Sequence, residues 1–171
     1  MKILFYRYLI GLIFLLSFSA LFSQEIQGTY AIKNMKTGLL LRMKDANQKN
    51  GTPLVSYSVV NWKCATWDFI HVSEQSYQLK NLFTGKTFQP VNQNLVDGTE
   101  LEQQVLISNQ GNQLFEFIPV EKDVYLIRLK GTDLYITPSD EYGIVNSNIT
   151  LSNKNGSKSQ QWTIYEQHPK I

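Results

Sequence analysis

The chain has 171 residues, 43% of them hydrophobic and 18% charged, and its formal net charge of +2 at pH 7 equals the two early cations Lys2 and Arg7. The remainder is therefore close to neutral, which argues against the basic face that a nucleic-acid-binding protein needs to neutralise phosphates. Cys64 is the single cysteine, so no internal disulfide can form and packing alone must hold the fold.

Residues 1–23 have the pattern of a secretory signal peptide. Two cations precede an apolar run at 9–16, and small polar residues become frequent over 17–23. The run is too short for a comfortable membrane span. We expect cleavage near Ser23, with Ala20 as the other candidate, and an uncleaved anchor is the alternative. The mature chain, 24–171, would be secreted or periplasmic, with no membrane span after cleavage.

The mature chain is expected to form one domain made of three similar units. Tyr30, Tyr77 and Tyr125 stand at equivalent positions, 47 and then 48 residues apart. The units extend over about 27–73, 74–121 and 122–168, and each has an aromatic-x-apolar pair near its end, such as Trp67 and Phe69 in the first. A fixed period in this range indicates a repeat architecture.

Each unit is predicted to contain four short strands, because apolar and polar residues alternate between Gly, Asn and Asp turn signals. The predicted strands are Gly28–Asn34, Leu39–Met43, Leu54–Tyr57 and Trp67–Val72; Ser76–Asn81, Thr87–Val91, Leu101–Val105 and Phe115–Val120; and Val124–Lys130, Tyr135–Pro138, Ile149–Leu151 and Trp162–Gln167. Twelve strands in three equal groups favour a closed all-β body with threefold symmetry, since closure removes exposed strand edges.

The same alternation predicts which side chains form the core. The inward positions are Tyr30, Ile32, Trp67, Phe69, Tyr77, Leu79, Phe115, Phe117, Tyr125, Ile127, Trp162 and Ile164. Thr66 and Gln78 are among the neighbours predicted to face outwards. Burying one large apolar side chain is worth roughly 1.5–3 kcal/mol. We interpret Cys64 as a small buried filler, with a reactive thiol or an intermolecular bridge as the alternative.

Several motifs recur in register along the chain. They are Gln160-Gln161-Trp162, a Q-x-W motif; Asn112-Gln113-Leu114-Phe115, the same motif with Phe for Trp; and the mid-unit signals Asn50-Gly51-Thr52-Pro53-Leu54 and Asp97-Gly98-Thr99. Over nearly the whole mature chain this pattern resembles the ricin-type β-trefoil, the lectin domain similar to the ricin B-chain. The resemblance implies a β-trefoil in which Trp67, Gln113, Phe115, Gln160 and Trp162 are structural.

The resemblance also implies where sugars would bind. Family members similar to ricin B bind galactose-type sugars with an Asp after the second strand of a unit, an aromatic after the third, and the Asn of the N-Q-x-W segment. The Asp position falls on Arg42, Gln89 and Thr137, the aromatic position on Tyr57, Gln104 and Ser152, and the Asn position on Cys64, Asn112 and Ser159. No unit has all three parts.

In the first unit Tyr57 would stack a sugar ring, while Arg42, Asn61 or Asp45 would supply polar contacts. Because a guanidinium prefers a carboxylate, phosphate or sulfate, we hypothesise an acidic glycan there. The alternative is that Tyr57 is a half-buried surface ring and Arg42 a solvated charge.

In the second unit a polar trio, Gln89, Gln104 and Asn112, forms the other candidate carbohydrate site. We therefore expect a secreted, non-catalytic carbohydrate-binding module with degenerate sites. No cofactor or metal is expected, because His71 and His168 lack metal-ligand spacing.

The alternative function is a β-trefoil that binds a protein partner through its loops, as an inhibitor or an accessory subunit. The loop Asp140–Ser147 contains Tyr142, Ile144 and Val145, which are expected to be exposed and could anchor such a partner.

Overall fold

The structure, a computed structural model, describes residues 25–171, and the predicted signal peptide lies outside the described residues. The described chain is all-β, as predicted. Its strands are β1 Gly28–Asn34, β2 Leu40–Met43, β3 Leu54–Tyr57, β4 Trp67–Ser73, β5 Ser76–Asn81, β6 Thr87–Pro90, β7 Leu101–Gln104, β8 Phe115–Glu121, β9 Val124–Leu129, β10 Leu134–Pro138, β11 Ile149–Asn153 and β12 Gln161–Glu166. Within residues 25–171 there is no helix of the length and hydropathy that a membrane crossing requires.

Six strands close into a barrel. β1 pairs with β4 and β12, β5 pairs with β4 and β8, and β9 pairs with β8 and β12, all antiparallel. Each barrel strand therefore has a neighbour on both sides, and no barrel edge is left unpaired. Because β1 and β12 pair over Tyr30–Asn34, the first and third units are joined as directly as neighbouring units are.

The other six strands form the hairpins β2–β3, β6–β7 and β10–β11, one per unit. Equivalent backbone bonds tie the hairpins in a ring, the N–H of Gly51, Gly98 and Asn146 donating to the carbonyls of Gln103, Leu151 and Ser56 at 2.9, 2.8 and 2.8 Å. Each unit thus donates to the next, and the third donates to the first. The two glycines have positive φ values, which explains the N-G and D-G signals at these turns.

The larger of two hydrophobic clusters fills the barrel and the space beneath the three hairpins, which form a cap. Nine of the twelve predicted inward residues are buried in it, and Tyr30, Tyr125 and Ile164 are partly buried and pack against it. The indoles also link barrel to cap. Trp67 Nε1 donates to the carbonyl of Leu41 at 3.2 Å, and Trp162 Nε1 donates to that of Ile136 at 3.0 Å. Two polar donors are satisfied in the core in this way.

Two outward predictions were wrong. Thr66 and Gln78 are only 0% and 2% exposed. Loops cover the outer surface at both places, and each side chain bonds to the loop above it: the Thr66 hydroxyl donates to the Trp62 carbonyl at 2.9 Å, and Gln78 Nε2 donates to the Ile107 carbonyl at 2.7 Å. Alternation predicts the side of a strand, but it carries no information about what covers that side.

Candidate functional site

The outer faces of the three hairpins carry most of the predicted site residues in equivalent places. On β2–β3, Leu40 lies opposite Tyr57 and Arg42 opposite Val55, so Arg42 and Tyr57 are diagonal neighbours on one face. Gln89 and Gln104 occupy the same two positions on β6–β7, and Thr137 and Ser152 occupy them on β10–β11.

In the first unit Arg42 stacks on Tyr57. The guanidinium carbon lies 3.8 Å from the centre of the Tyr57 ring, the geometry of a cation–π contact. The alternative of a solvated Arg42 was wrong, since the side chain is 7% exposed. Its Nε is buried without a hydrogen-bond partner among the described residues. None of the ion pairs within residues 25–171 includes Arg42.

A second ring, which the sequence analysis missed, extends this surface. Trp62 lies 6.4 Å from Tyr57 between ring centres, with the planes inclined by 37°. Tyr57 is half-buried, while Trp62 keeps 39% of its surface exposed. The family's site Asn position falls on Cys64 in this unit. An aromatic residue only two positions earlier could have identified Trp62 as a site residue. Cys64 itself is a free, buried thiol, as its interpretation as a filler requires.

The remaining candidates of the first unit lie in other recesses. Asn61 is exposed and lines an open cleft together with Tyr165 and His168. Asp45 follows β2 and lines a separate recess with Lys49. The structure therefore brings Tyr57, Trp62 and Arg42 together but places Asn61 and Asp45 apart from them.

The polar trio of the second unit is engaged in internal bonds. Gln89 is 8% exposed, and its Oε1 accepts from Gln113 Nε2 at 3.0 Å. Gln104 Nε2 donates to Glu102 Oε1 at 3.0 Å. Asn112 Oδ1 accepts from Gln110 Nε2 at 2.7 Å, while its Nδ2 is buried without a partner among the described residues. Glu102, opposite Gln89 across the hairpin, brings a carboxylate that the sequence analysis did not assign, although its spacing of two from Gln104 indicates the shared face.

The motif glutamines bind the loop before β8 and β12 to the neighbouring hairpin. Gln113 accepts from the Ile107 N–H and donates to the Val105 carbonyl and to Gln89. Gln160 makes the equivalent bonds, with its Nε2 donating to the hydroxyl of Thr137 at 3.3 Å. In both units the amide thus donates to the residue in the family's Asp position.

The first unit has Ala65 in place of this glutamine, and Gln167 holds the loop instead. Gln167 is 6% exposed. Its Nε2 donates to the Val60 carbonyl at 2.9 Å, and its Oε1, at 2.8 Å, shares the single Thr66 hydroxyl proton with the Trp62 carbonyl. The loop that carries Trp62 is therefore anchored from the C-terminal segment. Sequence reasoning had no signal for this contact, because the partners are about a hundred residues apart.

Among residues 25–171 no group of three or more His, Cys, Asp and Glu side chains is placed to hold a metal ion.

Comparisons with known proteins show what this architecture is similar to. The family model described as "Ricin-type beta-trefoil lectin domain-like" matches residues 18–104. A search of curated proteins finds no match. Among solved structures, the designed threefold-symmetric protein ThreeFoil is 18% identical, with a TM-score of 0.77 over 82% of this chain and 99% of its own.

Two further solved structures are similar as well. The Rhizoctonia solani agglutinin is 15% identical, with a TM-score of 0.75 over 84% of this chain and 98% of its own. The Macrolepiota procera ricin B-like lectin, solved in complex with lactose, is 21% identical, with a TM-score of 0.67 over 86% and 100%. These likenesses show the β-trefoil fold. Together with the family match, they show that the chain belongs to the ricin-type β-trefoil lectin domain-like family.

Proposed function

We propose that the chain is a secreted, lectin-like and non-catalytic carbohydrate-binding module whose working site is the outer face of β2–β3. The Tyr57–Trp62 pair carries the proposal, with two rings 6.4 Å apart and Trp62 39% exposed. Tyr57 stands where the family resemblance puts a sugar-stacking aromatic. A surface ring offers an apolar face to the C–H groups of a sugar, and aromatic residues dominate the energetics of such contacts.

Two further observations support the proposal. The Macrolepiota procera relative was solved with lactose, a neutral disaccharide. Export is supported by the cationic and then apolar pattern of residues 1–23. Mass spectrometry of the exported protein tests that part, and a chain that keeps residues 1–23 would contradict it.

The module is expected to bind mainly through one unit. The positions equivalent to Tyr57 are Gln104 and Ser152, which have no ring to stack on a sugar. The polar groups of the second unit are largely bonded to one another, as Gln104 is to Glu102. Affinity for a single sugar is therefore expected to be low, and tight attachment would need several modules or a multivalent surface.

A glycan-array screen with neutral and acidic sugars tests this function. Binding should fall on the order of tenfold or more in Trp62→Ala and in Tyr57→Ala, because each change removes stacking surface. Phe83→Ala is the matched control, an aromatic that is 43% exposed in the turn between β5 and β6. A blank array at high protein concentration, or equal loss in all three folded variants, would contradict the proposal.

Binding of a protein partner is the second candidate function, and the loop Asp140–Ser147 favours it. Tyr142 and Ile144 are 95% and 60% exposed. The carboxylate of Asp140 accepts from both of their N–H groups, at 3.2 and 2.6 Å, and these bonds restrain residues 140–144 of the loop. A pre-ordered apolar loop suits a partner surface.

One double variant separates the two functions. Tyr142→Ser/Ile144→Ser should leave sugar binding unchanged if the working site is on β2–β3. If the protein instead acts through its loop, the same variant should lose its partner while Trp62→Ala keeps it. Titration against immobilised glycan and against a purified partner gives the two readouts.

A further inference from the structure

We propose that the site on β2–β3 selects sugars that carry an anionic group, and that Arg42 is the residue that binds this group. The inference rests on the proposed function, because it assigns a substrate class to the same site. It is carried by a juxtaposition: a buried guanidinium with an unpaired Nε lies against the Tyr57 ring beside the exposed Trp62.

The three units differ in whether the residue in the family's Asp position donates or accepts a hydrogen bond. In the second and third units the residue there is an acceptor, since Gln89 and Thr137 each accept from a motif glutamine. Arg42 can only donate, because a guanidinium has five N–H groups and no acceptor. If a motif glutamine directed its NH2 group at Arg42, two hydrogen-bond donors would face each other without an acceptor. The first unit has Ala65 at the glutamine position, which removes that conflict.

The first unit is therefore built around a donor that its own chain leaves unpaired. A buried charge is costly unless it is paired and hydrogen-bonded. Stacking on Tyr57 compensates part of that cost. It does so through the face of the guanidinium, while the in-plane Nε has no hydrogen-bond partner among the described residues. Within residues 25–171 no acidic side chain forms an ion pair with Arg42. The missing acceptor is expected to come from the ligand.

The chemistry of the site defines the ligand class. A guanidinium fork matches the paired oxygens of a carboxylate or a sulfate, and these charge-assisted bonds are stronger than those to a sugar hydroxyl. The rings of Tyr57 and Trp62 would pack against the sugar that carries the anion. The expected ligand is thus a sugar that has an apolar face of C–H groups and carries an oxyanion. The oxyanion is either the carboxylate of an acidic sugar or a sulfate ester.

Isothermal titration with three probes tests the inference: lactose, 3′-sialyllactose and 3′-sulfolactose. The protein should bind at least one anionic probe on the order of tenfold tighter than lactose. The preference between the two anionic probes identifies which source of the oxyanion fits. Arg42→Gln, which installs the residue of the second unit, should abolish the preference, so that the anionic probe binds that variant no tighter than lactose does. Lys36→Gln, which removes an exposed cation from the β1–β2 turn, should leave the preference unchanged.

Two further measurements keep the inference falsifiable. Arg42→Lys retains the cation and serves if Arg42→Gln does not fold, as judged by thermal unfolding; it should lose most of the preference because it lacks the fork. The preference of the unmodified protein needs no variant at all. Equal affinity for lactose and both anionic probes would overturn the inference while the carbohydrate function stands.

Titration with inorganic sulfate separates the remaining outcomes. Sulfate binding that is lost in Arg42→Gln, with no probe sugar bound, would support the anion site and contradict the carbohydrate function. If neither sulfate nor any probe sugar binds, both the inference and the proposed function are wrong.

Discussion

A single amide fixes the loop that carries the exposed ring of the candidate site. Gln167 bonds to the Val60 carbonyl and to the Thr66 hydroxyl, which hold the two ends of the segment around Trp62. It thereby takes over the task that Gln113 and Gln160 perform inside the other two units. The Thr66 bond is buried, whereas the Val60 carbonyl is only half-buried.

Replacing Gln167 by Ala should destabilise the fold and loosen this loop. The half-buried Val60 carbonyl would lose its amide partner and the Thr66 hydroxyl would keep only the Trp62 carbonyl, at a cost of about 0.5–1.5 kcal/mol in the free energy of unfolding. The amides of 58–66 should exchange with solvent faster than in the unmodified protein, and the affinity for sugar should fall with them. Urea unfolding and hydrogen exchange give the two readouts.

The matched control for this change is Gln48→Ala, since Gln48 is an exposed glutamine on another loop. It should alter neither stability nor exchange. Protection of 58–66 that is unchanged in Gln167→Ala would show that the loop holds its shape without the amide.

At the scale of strands and loops, the local sequence patterns predicted the strands and the register of the β2–β3 hairpin. All twelve strands lie within two residues of their predicted bounds, because alternation and turn residues act over a few positions. The diagonal pairing of Arg42 with Tyr57 follows from the register of one hairpin. The recurrence of the units gave the fold class, since three copies of one pattern reinforce each other.

Contacts between distant segments could not be predicted in this way. The burial of Arg42 and of Gln78 depends on which segments cover the outer face of the strand. The alternation of apolar and polar residues along a strand does not predict those segments. The bond between Thr66 and Gln167 joins positions 101 residues apart, and neither residue belongs to a motif that indicates the other. The part of the candidate site that escaped prediction, Trp62 and its anchor, is therefore the part built by a loop.

At the scale of the whole molecule, the threefold repeat places three tyrosines at equivalent positions around the barrel. Phe69 joins two of them, with ring centres 5.3 Å from Tyr30 and 5.7 Å from Tyr77, and Phe117 lies 5.7 Å from Tyr125. Burial raises the pKa of Tyr77 above its usual value. Burial, then the neighbouring Asp123 carboxylate and the other two phenols, raise the pKa of Tyr125 as well.

These raised pKa values predict a loss of stability at alkaline pH. Below the unfolded-state pKa of about 10 the phenols are protonated in both states, and their full contribution to stability is present. As pH rises further, the unfolded chain ionises first and the folded chain resists, so the free energy of unfolding falls until the folded pKa is passed. Urea titrations from pH 8 to pH 11, followed by tryptophan fluorescence, should show this decline.

Removing one phenol should weaken the alkaline decline. Tyr125→Phe keeps the ring in the aromatic cluster and deletes the group whose pKa is raised, so its stability curve should fall less steeply above pH 10 than that of the unmodified protein. Tyr142→Phe is the matched control, because Tyr142 is 95% exposed and lies outside the aromatic cluster. Each variant loses one phenol and keeps every other titratable group, so the difference between the two curves isolates the effect of the surroundings of Tyr125. Parallel curves would mean that the aromatic cluster tolerates a phenolate, and that Tyr125 is more accessible to water than its packing indicates.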